Sequence, residues 1–84
     1  MKLTVRYFAS IREALGSGET LELPGPATLG ELRDLLIARG GRHAEALARG
    51  SALRAAVNQV MATDESLPLA EGTEVAFFPP VTGG

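Results

Sequence analysis

The sequence predicts a two-layer α+β domain in which one main helix covers one face of a small mixed sheet. Three observations lead to this prediction for the 84-residue chain. Strand-like segments lie near both ends, one long amphipathic helix lies between them, and glycine- or proline-rich breaks separate the elements. A helix and a sheet that each have one apolar face bury those faces against each other.

The first half of the chain begins with a predicted β-hairpin. Residues 2–8 alternate in polarity, as expected for a half-buried strand. Residues 10–15 resemble one or two helical turns, and a glycine-rich break at 16–18 follows. Residues 19–23 alternate again, so we expect an antiparallel pair joined by a wide loop.

The main helix has a clear start and stop. Thr28 is a favourable N-cap, and Glu31 three residues later completes a capping box. The leucines at helical spacing predict a single apolar face; they are Leu29, Leu32, Leu35 and Leu36. Gly40-Gly41 predicts the end of the helix.

The second half predicts a weaker helix and three short strands. The helix covers residues 43–48, and the strands cover 53–57, 60–62 and 73–78. If the first and last strands are neighbours, they run parallel at the centre of the sheet, because a crossover connects them. This arrangement is the β-grasp. We expect the domain to cover residues 1–80 and a flexible tail to cover 81–84.

The last strand divides its side chains between the two faces of the sheet. We assign Val75 and Phe77 to the core; the other predicted core residues are Leu3, Val5, Tyr7, Leu32, Leu36 and Val57. Phe78 then faces away from the helix as an exposed aromatic, a typical interface anchor. The alternative is partial burial of Phe78 under a loop, because large aromatic residues are usually well buried.

The composition argues against several classes of protein. The chain has no cysteine and one histidine, which argues against disulfides, thiolate chemistry and a metal site. A net charge of −2 argues against nucleic acid as a partner. No apolar run approaches the roughly 20 residues of a membrane helix. We therefore expect a soluble cytoplasmic protein that binds neither nucleic acid nor membrane.

The side chains do not assemble a recognisable catalytic group. We interpret His43 as a solvent-facing residue near a helix start, without an acid–base partner. The pair Asp64-Glu65 is interpreted as a solvated turn, and Gly16-Ser17-Gly18 lacks the lysine of a phosphate-binding loop. The chain is accordingly expected to be no enzyme by itself and to bind no cofactor.

The C-terminal segment is the best candidate for chemistry. Pro79 and Pro80 stop the last strand and stiffen the exit of the chain. Gly83 and Gly84 remove side-chain bulk, so a narrow channel of a partner could admit the backbone. The terminal carboxylate is ionised at neutral pH and is a poor electrophile. It needs activation, for example with ATP bound by a partner.

The segment EVAFFPPVTGG, residues 74–84, resembles the C-terminus of the small subunit family of molybdopterin synthase. The resemblance extends to YFASIRE at 7–13 and to LRAAVNQ at 53–59, and it covers essentially the whole chain in order and length. It implies a ubiquitin-like β-grasp fold. It also implies partner contacts at Phe78, Met61 and Arg12, next to an exit formed by Pro79, Pro80 and Val81.

The resemblance further implies a reaction cycle for the tail. An adenylating enzyme related to ubiquitin-activating enzymes uses ATP to activate Gly84, and a persulfide converts the adenylate to a thiocarboxylate. The large synthase subunit then receives the tail and transfers the sulfur to cyclic pyranopterin monophosphate. Three alternatives remain open at this point: a sulfur carrier for thiamine or tRNA thiolation, a ubiquitin-like protein modifier, and an interaction domain whose Gly-Gly has no role.

Overall fold

The computed structural model describes residues 1–50 and 52–80, and the predicted tail at 81–84 lies outside the described residues. The elements in chain order are β1 (Lys2–Tyr7), α1 (Ala9–Leu15), β2 (Gly18–Glu22), α2 (Leu29–Ile37), α3 (Gly41–Leu47), β3 (Arg54–Val57), β4 (Val60–Ala62) and β5 (Glu74–Phe78). The strands form one mixed sheet in the order β2-β1-β5-β3-β4. Within the described ranges, no helix has the length and apolar character needed to cross a bilayer.

The sheet confirms the predicted β-grasp arrangement. β1 pairs antiparallel with β2 and parallel with β5, so the first and last strands are central neighbours. Val5 lies opposite Val75, and Tyr7 lies opposite Phe77. Residues that are opposite in register project from the same face of a sheet. The odd-numbered residues of β1 and β5 therefore point together towards the helices.

The core lies between this face of the sheet and the helices. The least exposed large side chains are Tyr7, Phe77, Leu3, Leu32, Leu36, Leu47, Val5 and Val75. All the predicted core residues belong to this group except Val57, which is partly buried and packs against it. Ile11 of α1 is also buried, which holds this short helix against the core.

The predicted capping box begins α2. The Thr28 hydroxyl oxygen accepts a hydrogen bond from the Glu31 backbone N–H at 3.2 Å, and the Glu31 carboxylate accepts one from the Thr28 N–H at 2.9 Å. Leu29, Leu32 and Leu36 are buried, but Leu35 is 42% exposed, so its assignment to the apolar face is wrong. At about 100° per residue, Leu35 lies roughly 90° from the centre of the buried stripe.

A tight turn joins β3 to β4. Asn58 and Gln59 both have positive φ, at 49° and 69°, as a two-residue hairpin turn requires. Asn58 also ties the turn to β5, because its side-chain oxygen accepts a hydrogen bond from the Glu74 N–H at 3.0 Å. This contact compensates for the poor intrinsic preference of glutamine for positive φ.

Glu65 is part of an ionic network rather than a solvated turn, which corrects its sequence-based interpretation. Its carboxylate pairs with Arg33 at 3.1 Å and also with Arg49. Arg33 additionally donates to the carbonyl oxygens of Leu47 and Ala48 at the end of α3. The network joins a loop to two helices. Local patterns do not predict it, because its members lie far apart in the sequence. Asp64 does lie in a turn, where it accepts hydrogen bonds from Ser66.

His43 is also placed differently from the prediction. Its side chain is only 24% exposed, and its Nε2 lies 3.7 Å from a carboxylate oxygen of Glu19. The same oxygen accepts hydrogen bonds from Arg39 at 2.7 Å and from the Tyr7 hydroxyl at 3.3 Å. The Tyr7 and His43 rings meet edge to face. This cluster links β1 and β2 to the junction of α2 and α3.

The burial of Tyr7 predicts a measurable alkaline transition. Burial, followed by the negative charge of Glu19, raises the pKa of Tyr7 to about 12. The value in an unfolded chain is about 10, so the folded state holds the proton more tightly. The stability that this provides is complete below about pH 10 and is lost as the pH rises towards 12.

The chain has one tyrosine and no tryptophan, so tyrosinate absorbance reports on Tyr7 alone. We expect a midpoint well above 10 in the folded protein, and a lower midpoint in Glu19→Gln, which removes the neighbouring negative charge. Circular dichroism at each pH establishes whether the protein is still folded. An ordinary midpoint while the protein is folded would contradict the buried position of Tyr7.

Candidate docking surface and tail exit

The chain leaves the sheet at the end of β5, where Phe78 is followed by two half-buried prolines, Pro79 and Pro80. Proline has no backbone N–H, so the ladder stops here, as the sequence predicts. Val81 and the proposed reacting residues, Gly83 and Gly84, follow outside the described residues. The described structure therefore defines where the tail starts and what surrounds that point.

The face of the sheet opposite the helices carries an apolar patch beside this exit. Ala76 of β5 lies opposite Ala56 of β3, which in turn lies opposite Met61 of β4. Phe78 projects from the same face as Ala76, two residues further along β5. We call these four residues, Phe78, Ala76, Ala56 and Met61, the open-face patch. Phe78 and Met61 supply its accessible surface, because Ala76 is 8% and Ala56 is 9% exposed.

The structure places two of the predicted contact residues on the open-face patch, and one of them is less exposed than expected. Met61 is 57% exposed, as a docking residue should be. Phe78 faces the predicted side, but it is half-buried rather than fully exposed. Its cross-strand neighbours explain this, because Arg54 lies opposite it on β3, and the Phe8 N–H donates to the Phe77 carbonyl on the other side. Phe78 thus lies between neighbouring chain segments on both sides.

Phe8 extends the apolar surface and was not identified from the sequence. It is 37% exposed, and the Arg6 guanidinium lies 5.2 Å from the centre of its ring. Arg6 also pairs with Glu74 at 3.9 Å. The alternation of β1 does indicate the position of Phe8, because Phe8 continues the series of even-numbered residues, which are otherwise polar. A large aromatic residue on the solvent side of an amphipathic strand is a candidate docking residue.

Arginine side chains give this part of the surface a positive border. Arg54 is exposed beside Phe78 and forms no salt bridge within the described ranges. The predicted contact residue Arg12 is also exposed, but it lies on α1, which packs against α3 in the helical layer. The structure thus groups Phe78 with Met61 and places Arg12 outside the open-face patch, at the same end of the molecule.

The sequence matches the model of the ThiS family over residues 5–84. The chain belongs to the ThiS family. Two curated relatives are also similar over almost their full lengths. The molybdopterin synthase sulfur carrier subunit of Escherichia coli K12 is 44% identical over 82 residues, covering 98% of this chain and 99% of the relative. The protein of the same name from Haemophilus influenzae is 41% identical over 83 residues, with the same coverage.

Solved structures of similar proteins share the fold of this ThiS family member. SAMP1 from Haloferax volcanii superposes with a TM-score of 0.75 at 28% identity, covering both chains completely. A chain from the complex of subunits 1 and 2 of molybdopterin-converting factor from Helicobacter pylori gives 0.72 at 27% identity, again with complete coverage of both chains. The β-grasp fold predicted from the sequence is confirmed.

Phe78→Ala tests whether the open-face patch binds a partner. We expect affinity for the large synthase subunit to fall about thirtyfold, since aromatic anchors often contribute about 2 kcal/mol. Truncating a fully buried Phe costs about 3–5 kcal/mol of stability, and a half-buried ring should cost less. A binding titration and a thermal melt on the same variant measure the two effects.

Thr20→Ala is the matched control, since Thr20 is exposed on the same face of β2, away from the exit. It should change neither affinity nor melting. If Phe78→Ala unfolds the domain, Phe78 is a structural residue. If the variant stays folded and its affinity is unchanged, the patch is not the docking surface.

Proposed function

We propose that this chain is the sulfur carrier subunit of a molybdopterin synthase. The observation that carries the proposal is its full-length similarity, at 41–44% identity, to two proteins of that name. A second support is the segment FFPPVTGG, in which a rigid strand and two prolines precede Gly83-Gly84. A carrier needs this arrangement: a folded part that docks and a slender end that reaches into another protein.

We propose that the chemistry takes place at the carboxylate of Gly84. An adenylating partner uses ATP to form a mixed anhydride between this carboxylate and AMP, which turns a poor electrophile into a reactive one. The outer sulfur of a partner's persulfide attacks the anhydride carbonyl carbon and displaces AMP, which gives an acyl disulfide. A thiol of the sulfur donor then cleaves the S–S bond, which releases the thiocarboxylate and leaves a disulfide on the donor. The sulfur is bonded to the terminal carbonyl carbon, so a chain without cysteine can carry it. Absence of an internal thiol also avoids attack on the activated end.

The proposed receiving partner is the large subunit of the synthase, which transfers the sulfur to cyclic pyranopterin monophosphate. The similarity to a chain from the complex of subunits 1 and 2 of molybdopterin-converting factor supports such a partner. The open-face patch supplies an apolar contact beside the exit, and Arg54 supplies a positive charge at its border. This chain contributes the docking surface and the sulfur, and the large subunit contributes the catalytic groups.

A second candidate function is protein modification. One similar solved structure is the small archaeal modifier protein 1 of Haloferax volcanii, at 27% identity and a TM-score of 0.73. Both functions begin with an activated terminal glycine, and they differ in the acceptor. A modifier forms amide bonds to lysines of target proteins, so conjugates that survive denaturing electrophoresis would indicate this function, and their absence would favour the carrier.

Deletion of Gly84 tests the carrier proposal. Terminal residues usually contribute little to the stability of a domain, so we expect an unchanged melting temperature. The deletion shortens the reach of the tail by at most about 3.6 Å. A misplacement of about 1 Å can already cost a hundredfold in rate. We therefore expect normal binding to the large subunit and at least a hundredfold slower sulfur transfer.

The assay uses chemically prepared thiocarboxylates of the full-length and shortened chains in a single turnover, which bypasses activation. Gly83→Ala, which keeps the length, separates an effect of reach from an effect of side-chain bulk. Near-normal transfer from the shortened chain would mean that the terminus is not positioned by the docked domain, and the carrier proposal would be wrong.

A further inference from the structure

A groove of about 480 Å³ lies on the helical side of the tail exit. It runs between α1 and α3, and Pro79 forms part of its wall. Its buried and half-buried lining residues are all apolar: Ile11, Ala14, Ala46, Leu53 and Pro79. Alanines at two of these positions leave room that larger side chains would fill. The groove is separate from the open-face patch, which lies on the other side of the sheet.

The exposed lining of the groove carries two charges of opposite sign. Arg42 and Glu45 lie three residues apart on α3, and both are exposed. Neither forms a salt bridge with any residue in the described part of the chain, whereas Arg33, Arg39 and Arg49 all do. An apolar groove with an unpaired cation and an unpaired anion suits a protein segment with an apolar side chain and complementary charges.

The short tail forces a receiving protein to approach this groove. Four residues after Pro80 reach at most about 14 Å, so a partner that acts on Gly84 must cover the surface around the exit. A stable interface buries about 800 Å² on each partner, which corresponds to a disc of roughly 16 Å radius. Pro79 borders the groove and directly follows Phe78 of the open-face patch. A footprint centred on Pro80 therefore extends over both.

We propose that this groove is a second docking site for the large synthase subunit, which inserts an apolar side chain between α1 and α3. The inserted segment places an acidic group near Arg42 and a basic group near Glu45. The proposal rests on the carrier function proposed above and adds the surface that recognises the partner. Contacts on both sides of Pro79 hold the exit in one direction, so the tail enters the partner along a fixed path.

The test compares variants of the full-length chain in binding titrations with the purified large subunit. Ala52→Arg places a long charged side chain at the exposed end of the groove, and Arg42→Glu reverses one of the unpaired charges. Both positions are exposed, so we expect unchanged melting temperatures. We expect each variant to bind at least tenfold more weakly. Lys2→Glu is the matched control, since Lys2 is exposed at the opposite end of β1, roughly 20 Å from the exit.

The outcomes separate this proposal from the one on which it rests. Weaker binding by both groove variants, with Lys2→Glu within twofold of the unchanged chain, supports the groove as a docking site. Unchanged binding by both variants overturns the groove, while the carrier function stands because the unchanged chain still binds. Failure of the unchanged chain to bind the large subunit overturns both. Sedimentation distinguishes a further outcome, in which the unchanged chain is a dimer that Ala52→Arg dissociates. This result overturns the groove as a docking site for the large subunit, since a second copy of the chain would then occupy it.

Discussion

β1 and β5 lie side by side and run parallel at the centre of the sheet, with Val5 opposite Val75 and Tyr7 opposite Phe77. All four side chains are almost completely buried. Parallel neighbours need a crossover connection, and here the crossover contains α2 and α3 together with the β3–β4 hairpin. The helices can cover only the face on which the apolar residues of both strands project. The opposite face remains open for a partner.

The parallel pairing of β1 and β5 also places the tail exit, the open-face patch and the groove at the same end of the molecule. Because β1 and β5 run in one direction, α1 leaves β1 at the end of the sheet where the tail leaves β5. The open-face patch lies on one side of this exit, and the groove between α1 and α3 lies on the other. Phe78 belongs to the open-face patch, and Pro79, the next residue, belongs to the groove. A partner that contacts both surfaces controls the direction of the tail.

Local pattern predicted the elements and a helix packed on a sheet, whereas the strand order followed from the resemblance to a known family. Alternation in β1 and the Thr28–Glu31 capping box each reflect interactions within a few residues, and the structure confirms them. The errors concern contacts between distant segments. Leu35 lies at the edge of a leucine stripe whose width depends on the packed sheet, and Glu65 meets two arginines that are remote in sequence.

The candidate site could be predicted only in part for the same reason. The sequence identified Phe78 because strand alternation assigns it to a face, and it identified Met61 through the resemblance and the position of Met61 in a neighbouring short strand. It did not predict that Phe8 and Arg54 lie beside Phe78, since cross-strand register determines both neighbours. The groove was not visible either. Its lining comes from α1, α3, the segment before β3 and Pro79, which share no local pattern and meet only in the folded chain.

Sulfur is proposed to travel on the terminal carbonyl carbon of Gly84. Intact-mass analysis of the chain, made in cells with its activating system, measures this directly. We predict a species in which one oxygen is replaced by sulfur, and fragmentation should place the change on the C-terminal peptide. Sulfur located on any other part of the chain, or no such species when the activating system is present, would contradict the account.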